Sequence, residues 1–296
     1  MQQNKTGTKT AILNFFRKIF LLPFLETILA FFTRKKGFIG RFSSKFVPPN
    51  YLFPSPSIRK LEIEGIKLVL DISDYVGHYL YFGFHDIGSE NLFSQVKKDF
   101  VIVDVGANIG YTALRMANLS GSSGTVYAFE PDSFNFSKLQ EHVKLNPHLN
   151  VIPINSGLSS EKTNLKLNIF EEKNRGMNRV STDDNSNYSI ISVNTLDNFS
   201  QEFKWEKIDV IKIDVEGYEY NVLKGSAKIL KEIRPLLFIE VDDINLKQYG
   251  SSAKQLINLL HENNYQCVHA KVGEKVTENY YFGTLHFDII AFPNKL

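Results

Sequence analysis

The chain has 296 residues, 43% hydrophobic and 22% charged, with a formal net charge of +2. That composition belongs to a folded protein with a sizeable core and excludes wholesale disorder. A single cysteine, Cys267, excludes an intramolecular disulfide and any multi-cysteine zinc site, so the thiol is expected to pack as a small hydrophobe in a reducing compartment.

Charge is distributed unevenly. Residues 1–47 hold nine Lys or Arg against Glu26 alone, a net of +8, which leaves −6 on the rest of the chain. Within this basic end, AILNFFRKIFLLPFLETILAFF (11–32) is aromatic and aliphatic but interrupted by Arg17, Lys18, Pro23 and Glu26. Those interruptions argue against a spanning helix, and no small-residue cleavage site precedes TRKKGFIGR. Two readings remain: a helix on an anionic membrane surface, with peripheral contact through residues 11–45, or a helical hairpin broken at Pro23 that packs on the fold.

Pro48, Pro49, Pro54 and Pro56 mark a connector, and Leu61–Glu64 with Ile66–Leu70 around Gly65 predict a short hairpin. The expected organisation is therefore an extension over 1–47, a connector and hairpin over 48–74, and a main domain over 75–296 that opens with a helix over 75–84. From Phe100 the pattern is regular. Strands are predicted over 100–105, 125–130, 151–154, 208–214, 236–241, 266–269 and 285–292, with helices over 110–119, 134–145, 218–230 and 252–262. This alternation predicts an α/β fold with a parallel sheet and helices on its faces. Stretches 165–170 and 189–193, flanking a polar excursion over 171–188, predict an inserted antiparallel hairpin. The excursion is either a solvated loop or a lid carrying Arg175 and Arg179 toward an anionic acceptor.

The first strand runs into DVGANIGYT (104–112). A dinucleotide turn needs GxGxxG, but Asn108 stands at the central position between Gly106 and Gly110. Asp104 would repel a pyrophosphate and attract a cation. Glu130 ends the second strand, where an acidic residue can accept from ribose hydroxyls. A ligand with an amino group, a sulfonium and a ribose fits this pattern, which points to S-adenosylmethionine rather than a nicotinamide cofactor.

The strings DVGANIGYT, FEP (129–131), TLDNF (195–199), IKIDVEGYEYNVLKGS (211–226) and RPLLFIEV (234–241) resemble the FkbM-type methyltransferases, a branch of the class I enzymes dependent on S-adenosylmethionine. The resemblance covers residues 75–292. It implies a Rossmann-like fold with a mixed, mostly parallel seven-stranded sheet, helices on both faces and, outside the resemblance, an N-terminal helical extension. It also implies methyl transfer, most readily to an oxygen of a sugar, glycolipid or secondary metabolite. Expected cofactor-binding residues are Asp104, Gly106, Ala107, Asn108, Gly110, Thr112, Glu130 and Asn155, the last near the adenine by resemblance to related folds.

Asp214 and Glu216 are expected to bind the acceptor or act as base, with Glu240 assisting. The same three could instead hold a divalent cation, or Asp214 and Glu216 could serve only the start of the next helix. Lys212, amid apolar residues, reads as a snorkelling edge residue or a participant in catalysis. His85 and His286 are alternative bases or ordinary surface groups. Competing functions are a catalytically inactive methyltransferase fold that binds a partner, and an NAD-dependent oxidoreductase. The acidic body argues against a nucleic acid partner. The expected location is cytoplasmic, with the extension touching the membrane.

Overall fold

The computed structural model describes residues 8–36, 43–83, 87–169, 178–181, 187–284 and 286–294. His85 and Arg175, and most of the excursion 171–188, lie outside the described residues. Contacts divide the chain into two units, one reaching to residue 86 and the other beginning at Ile87.

The first unit holds helices α1 (Thr8–Arg17) and α2 (Pro23–Lys36), the antiparallel hairpin β1 (Ile58–Ile63) and β2 (Ile66–Asp71), and helix α3 (Tyr75–Phe82). Pro23 opens α2, where its missing N–H costs nothing. The inner face of α2 is buried at Glu26, Leu29, Ala30 and Thr33, and Glu26 takes a two-pronged bond from Arg59 on β1, both contacts 2.7 Å. Helix α3 starts at Asp74, whose carboxylate accepts from Val76 and Gly77 N–H, and stops at left-handed Gly83. His78 is buried with Nε2 2.7 Å from the Pro48 carbonyl. Burial lowers its pKa to about 4, so it is neutral at physiological pH. Among the described residues, no helix is long and apolar enough to cross a membrane.

The second unit runs α4 (Ile87–Gln95), β3 (Val101–Val105), α5 (Tyr111–Ser120), β4 (Thr125–Phe129), α6 (Ser133–Leu145), β5 (Val151–Ile154), β6 (Gly157–Leu158), β7 (Thr163–Asn168), β8 (Arg179–Val180), β9 (Tyr188–Asn194), α7 (Leu196–Glu202), β10 (Val210–Ile213), α8 (Glu219–Lys224), β11 (Leu236–Asp242), α9 (Asp243–Gln248), α10 (Ala253–Glu262), β12 (Tyr265–His269), β13 (Lys275–Val276) and β14 (His286–Pro293).

Among the described residues the main sheet has the order β13-β12-β14-β11-β10-β3-β4-β5. These are the seven expected strands plus the two-residue edge strand β13. Strands β11, β10, β3, β4 and β5 are mutually parallel, and β14 is antiparallel to both of its neighbours. From β3 the chain steps one way through β4 to β5, and from β10 the other way to β11. Right-handed crossovers in opposite directions put the intervening helices on opposite faces. The central strands read as continuous apolar runs because both faces are covered.

Helix boundaries follow local chemistry. Helix α6 is capped by Asp132 and α10 by Ser252, and α10 buries Ala253, Leu256, Ile257 and Leu260 at helical spacing. The continuous helix expected over 218–230 is instead broken: α8 ends at Lys224 and a π-helical turn follows at Ile229–Ile233. Gly225 lies so close to the Ser159 carbonyl that a Cβ would collide with it. The expected inserted hairpin exists as β7 and β9, within a second sheet ordered β6-β9-β7-β8. Cys267 is fully buried in β12, and burial pushes its thiol up to about 12.

Candidate active site

The sheet reverses its winding between β3 and β10, and parallel register places four positions level at the carboxyl ends there. Val105 pairs with Phe129 and with Ile213, and Ile213 with Ile239. The next residues are therefore Gly106, Glu130, Asp214 and Glu240, aligned across four adjacent strands. A switch point of this kind is where open α/β sheets bind ligands.

The turn after β3 is built from left-handed backbone at Gly106 (φ 80°), Asn108 (φ 52°) and Gly110 (φ 91°). Gly106 is required, because a Cβ there would run into the backbone carbonyl of Asp214. The Gly106 and Ala107 N–H groups donate to the Phe129 carbonyl, and Asn108 Oδ1 accepts from Ile109 N–H. Thr112 lies half-buried in the first turn of α5. Asn155 donates from its amide to the Glu130 and Pro131 carbonyls, 2.8 and 3.2 Å away, and so braces the turn after β4.

Both acids expected to face the cofactor are buried. Glu130 Oε2 accepts from Asn108 N–H (2.8 Å) and Oε1 from Asp132 N–H (2.9 Å). Burial raises its pKa to about 7 against the pull of those two N–H groups. Asp104 is wholly buried, and neither of its oxygens accepts a well-aligned hydrogen bond among the described residues. Its counterion is Lys212, with Nζ 3.3 Å away.

Lys212 corrects the sequence reading. It sits in a central strand between β3 and β11, only 6% exposed, rather than at an edge. Its ammonium also reaches Asp214 Oδ2 at 3.2 Å and donates to the Gly106 carbonyl at 3.0 Å. Burial pulls its pKa down, but Asp104 and Asp214 outweigh burial and hold it above the usual lysine range.

The second half of the site follows β10. The Asp214 side chain is 42% exposed and is the accessible carboxylate of the row. Glu216 adopts left-handed backbone (φ 57°), and its pKa rises to about 7 through burial and the neighbouring Asp214 charge. Glu219, unassigned a site role from sequence, is buried and accepts from Val215 and Gly217 N–H at 3.1 and 3.0 Å, which shapes the turn carrying Glu216. Its position in the first helical turn after a glycine was the available signal.

Glu240 Oε1 lies 3.1 Å from His286 Nε2, and His286 Nδ1 lies 3.5 Å from Asp242. The bond from Glu240 raises His286 to about 10 against its own desolvation. Burial and Asp214 push Glu240 upward while His286 pulls it back, so the two groups titrate as a pair. Arg179 on β8 donates to Asn245 at 3.2 Å, and the Tyr249 hydroxyl donates to the Val180 carbonyl at 2.7 Å. The inserted sheet thus meets α9 and the residue after it, and Arg179 acts electrostatically on Glu216. Among the described residues, no three His, Cys, Asp or Glu side chains gather as a closed metal site would require.

The family model for the methyltransferase FkbM domain matches residues 104–267, which contain the turn, Glu130, Lys212, Asp214, Glu216 and Glu240. The chain belongs to the FkbM methyltransferase family. Hexuronic acid methyltransferase AglP of Haloferax volcanii is 29% identical over 63% of this chain and 69% of that one. Methyltransferase 1 of Beauveria bassiana is 30% identical over 43% of this chain and 58% of its own length. 2-O-methyltransferase NoeI of Sinorhizobium fredii is 27% identical, covering 55% and 72%. Among solved structures, methyltransferase FkbM from Methylobacillus flagellatus KT has a TM-score of 0.44 at 17% identity, over 74% of this chain and 55% of that one.

This FkbM member is an S-adenosylmethionine-dependent methyltransferase. Its residues fit that cofactor. The left-handed Gly106–Gly110 turn opens backbone at half-buried Gly106, Asn108 and Ile109, and both Asp104 oxygens keep unfilled acceptor capacity.

Proposed function

We propose that the enzyme methylates a hydroxyl oxygen of a sugar, glycolipid or secondary-metabolite acceptor, with Gly106, Ala107, Asn108, Gly110, Thr112, Glu130 and Asn155 around the cofactor. Two relatives are named for hexuronic acid and 2-O-methyl transfer, which supports an oxygen acceptor on a sugar. Within this reading the chain works in the cytoplasm as a peripheral enzyme, reaching a membrane surface through residues 11–45.

The observation that carries the reading is Glu216. Its carboxylate stands beside the accessible Asp214 with a pKa near 7, where a general base is most effective at neutral pH. S-adenosylmethionine, when bound, supplies a methyl group on a sulfonium leaving group. What falls to the chain is to hold the hydroxyl and remove its proton. Asp214 orients the hydroxyl, Glu216 takes the proton, and Glu240 fixes His286 at the rim. Burial raises the Asp104 carboxyl against the pull of Lys212, and its open acceptor positions suit the amino group of the cofactor. A carbohydrate acceptor suits a row of carboxylates because each can accept from neighbouring hydroxyls.

The test is methyl transfer from labelled S-adenosylmethionine to panels of free glycans, glycolipids and hydroxylated small molecules. Label should appear as an alkali-stable methyl ether and fall sharply with Glu216→Gln. Transfer to nitrogen or carbon acceptors alone would sink the proposal.

A further inference from the structure

The first unit carries a surface that methyl transfer does not use. Along α1 and the turn after it, Ile12, Phe15, Phe16 and Ile19 recur at the spacing of one helical face, and all are exposed. On α2 the exposed face is Phe24, Ile28, Phe31 and Phe32, opposite the buried Glu26, Leu29, Ala30 and Thr33. Phe15 and Phe24 are 71% and 75% exposed. A helix of a folded unit ordinarily turns its apolar face inward. Here α2 is fixed by its other face, through the Glu26–Arg59 pair, and its phenylalanines point outward. Apolar exposure of this density marks an interaction surface.

Charge selects the occupant. Residues 1–47 carry +8, and their one acid, Glu26, is buried and neutralised by Arg59. Lys18 and Lys45 are exposed. A second copy would set +8 against +8. An anionic bilayer takes phenylalanine at its acyl boundary and lysine among its headgroups. We infer that α1 and α2 form a docking surface for an anionic lipid bilayer. This specifies the surface and lipid for the peripheral placement proposed above, whichever acceptor is methylated.

The test floats the full-length protein with vesicles of phosphatidylcholine alone, or of equal parts phosphatidylcholine and phosphatidylglycerol. Binding is expected to the mixed vesicles, weakening at high salt, with little to phosphatidylcholine alone. The exposed-face variant Phe15→Ser/Phe24→Ser/Phe31→Ser should lower partitioning by more than about tenfold. Lys18→Glu/Lys45→Glu should lower it by about thirtyfold or more. Binding of S-adenosylhomocysteine should be unchanged in both variants. The inference is overturned if the wild type ignores the mixed vesicles, if it binds both vesicle types equally, or if the phenylalanine variant binds as well as wild type. Dimerisation abolished by that variant, with vesicles unbound, would assign the face to a second copy. Vesicle binding with no methyl transfer to any oxygen acceptor would leave this surface standing and defeat only the acceptor reading.

Discussion

Lys212 Nζ stands 3.3 Å from Asp104 Oδ1, the two residues paired across the central strands β10 and β3. The acid that opens the glycine turn therefore has a cation of its own before any ligand arrives. The same ammonium holds Asp214 and the Gly106 carbonyl, so one side chain ties the cofactor turn to the acceptor turn. Replacing it by Lys212→Met leaves a buried carboxylate uncompensated, and unfolding in urea should show a loss of roughly 3–5 kcal/mol. The double variant Lys212→Met/Asp104→Asn should recover part of that loss without restoring cofactor affinity.

Gly106→Ala should be worse than Gly110→Ala. Both positions are left-handed, but a Cβ on Gly106 meets the Asp214 backbone, whereas on Gly110 it meets the end of the Leu139 side chain, which can move. Thermal unfolding should register a cost of about 2 kcal/mol or more for Gly106→Ala. Calorimetry with S-adenosylhomocysteine should show binding abolished there and only weakened in Gly110→Ala.

If Glu216 is the base, kcat/KM should climb with pH through an apparent pKa near 7, and Glu216→Gln should remove that limb with a loss of roughly 10²–10⁴ in rate. Stability moves the opposite way. A carboxyl raised from 4.5 to about 7 contributes stability fully present below 4.5 and lost as pH rises through 7. Urea titrations across that window should therefore show Glu216→Gln less sensitive to pH than wild type.

His286 should hold its proton well above the ordinary histidine range, because Glu240 and Asp242 both face it. Nuclear magnetic resonance titration of its ring should give a value near 10, falling toward 6.5 in Glu240→Gln. A raised histidine contributes stability that is complete below 6.5 and disappears as pH rises through 10. An unshifted His286 in wild type would show that Glu240 does not hold the imidazolium in solution.

Much was determined by the sequence alone. Strands β3, β4, β10 and β11 are legible because central parallel strands are buried on both faces and read as apolar runs. The turn is legible because its glycines and Asn108 satisfy a local backbone demand. Tertiary structure alone decided that Asp104 meets Lys212, that Glu130 spends its oxygens on the N–H groups of Asn108 and Asp132, and that His286 partners Glu240. It also decided which face of α2 is buried, since the Arg59 that fixes Glu26 comes from a distant strand. The physical reason is separation along the chain. Periodicity and turn chemistry act within a few residues, whereas charge pairing across a sheet depends on register between strands that no local pattern specifies.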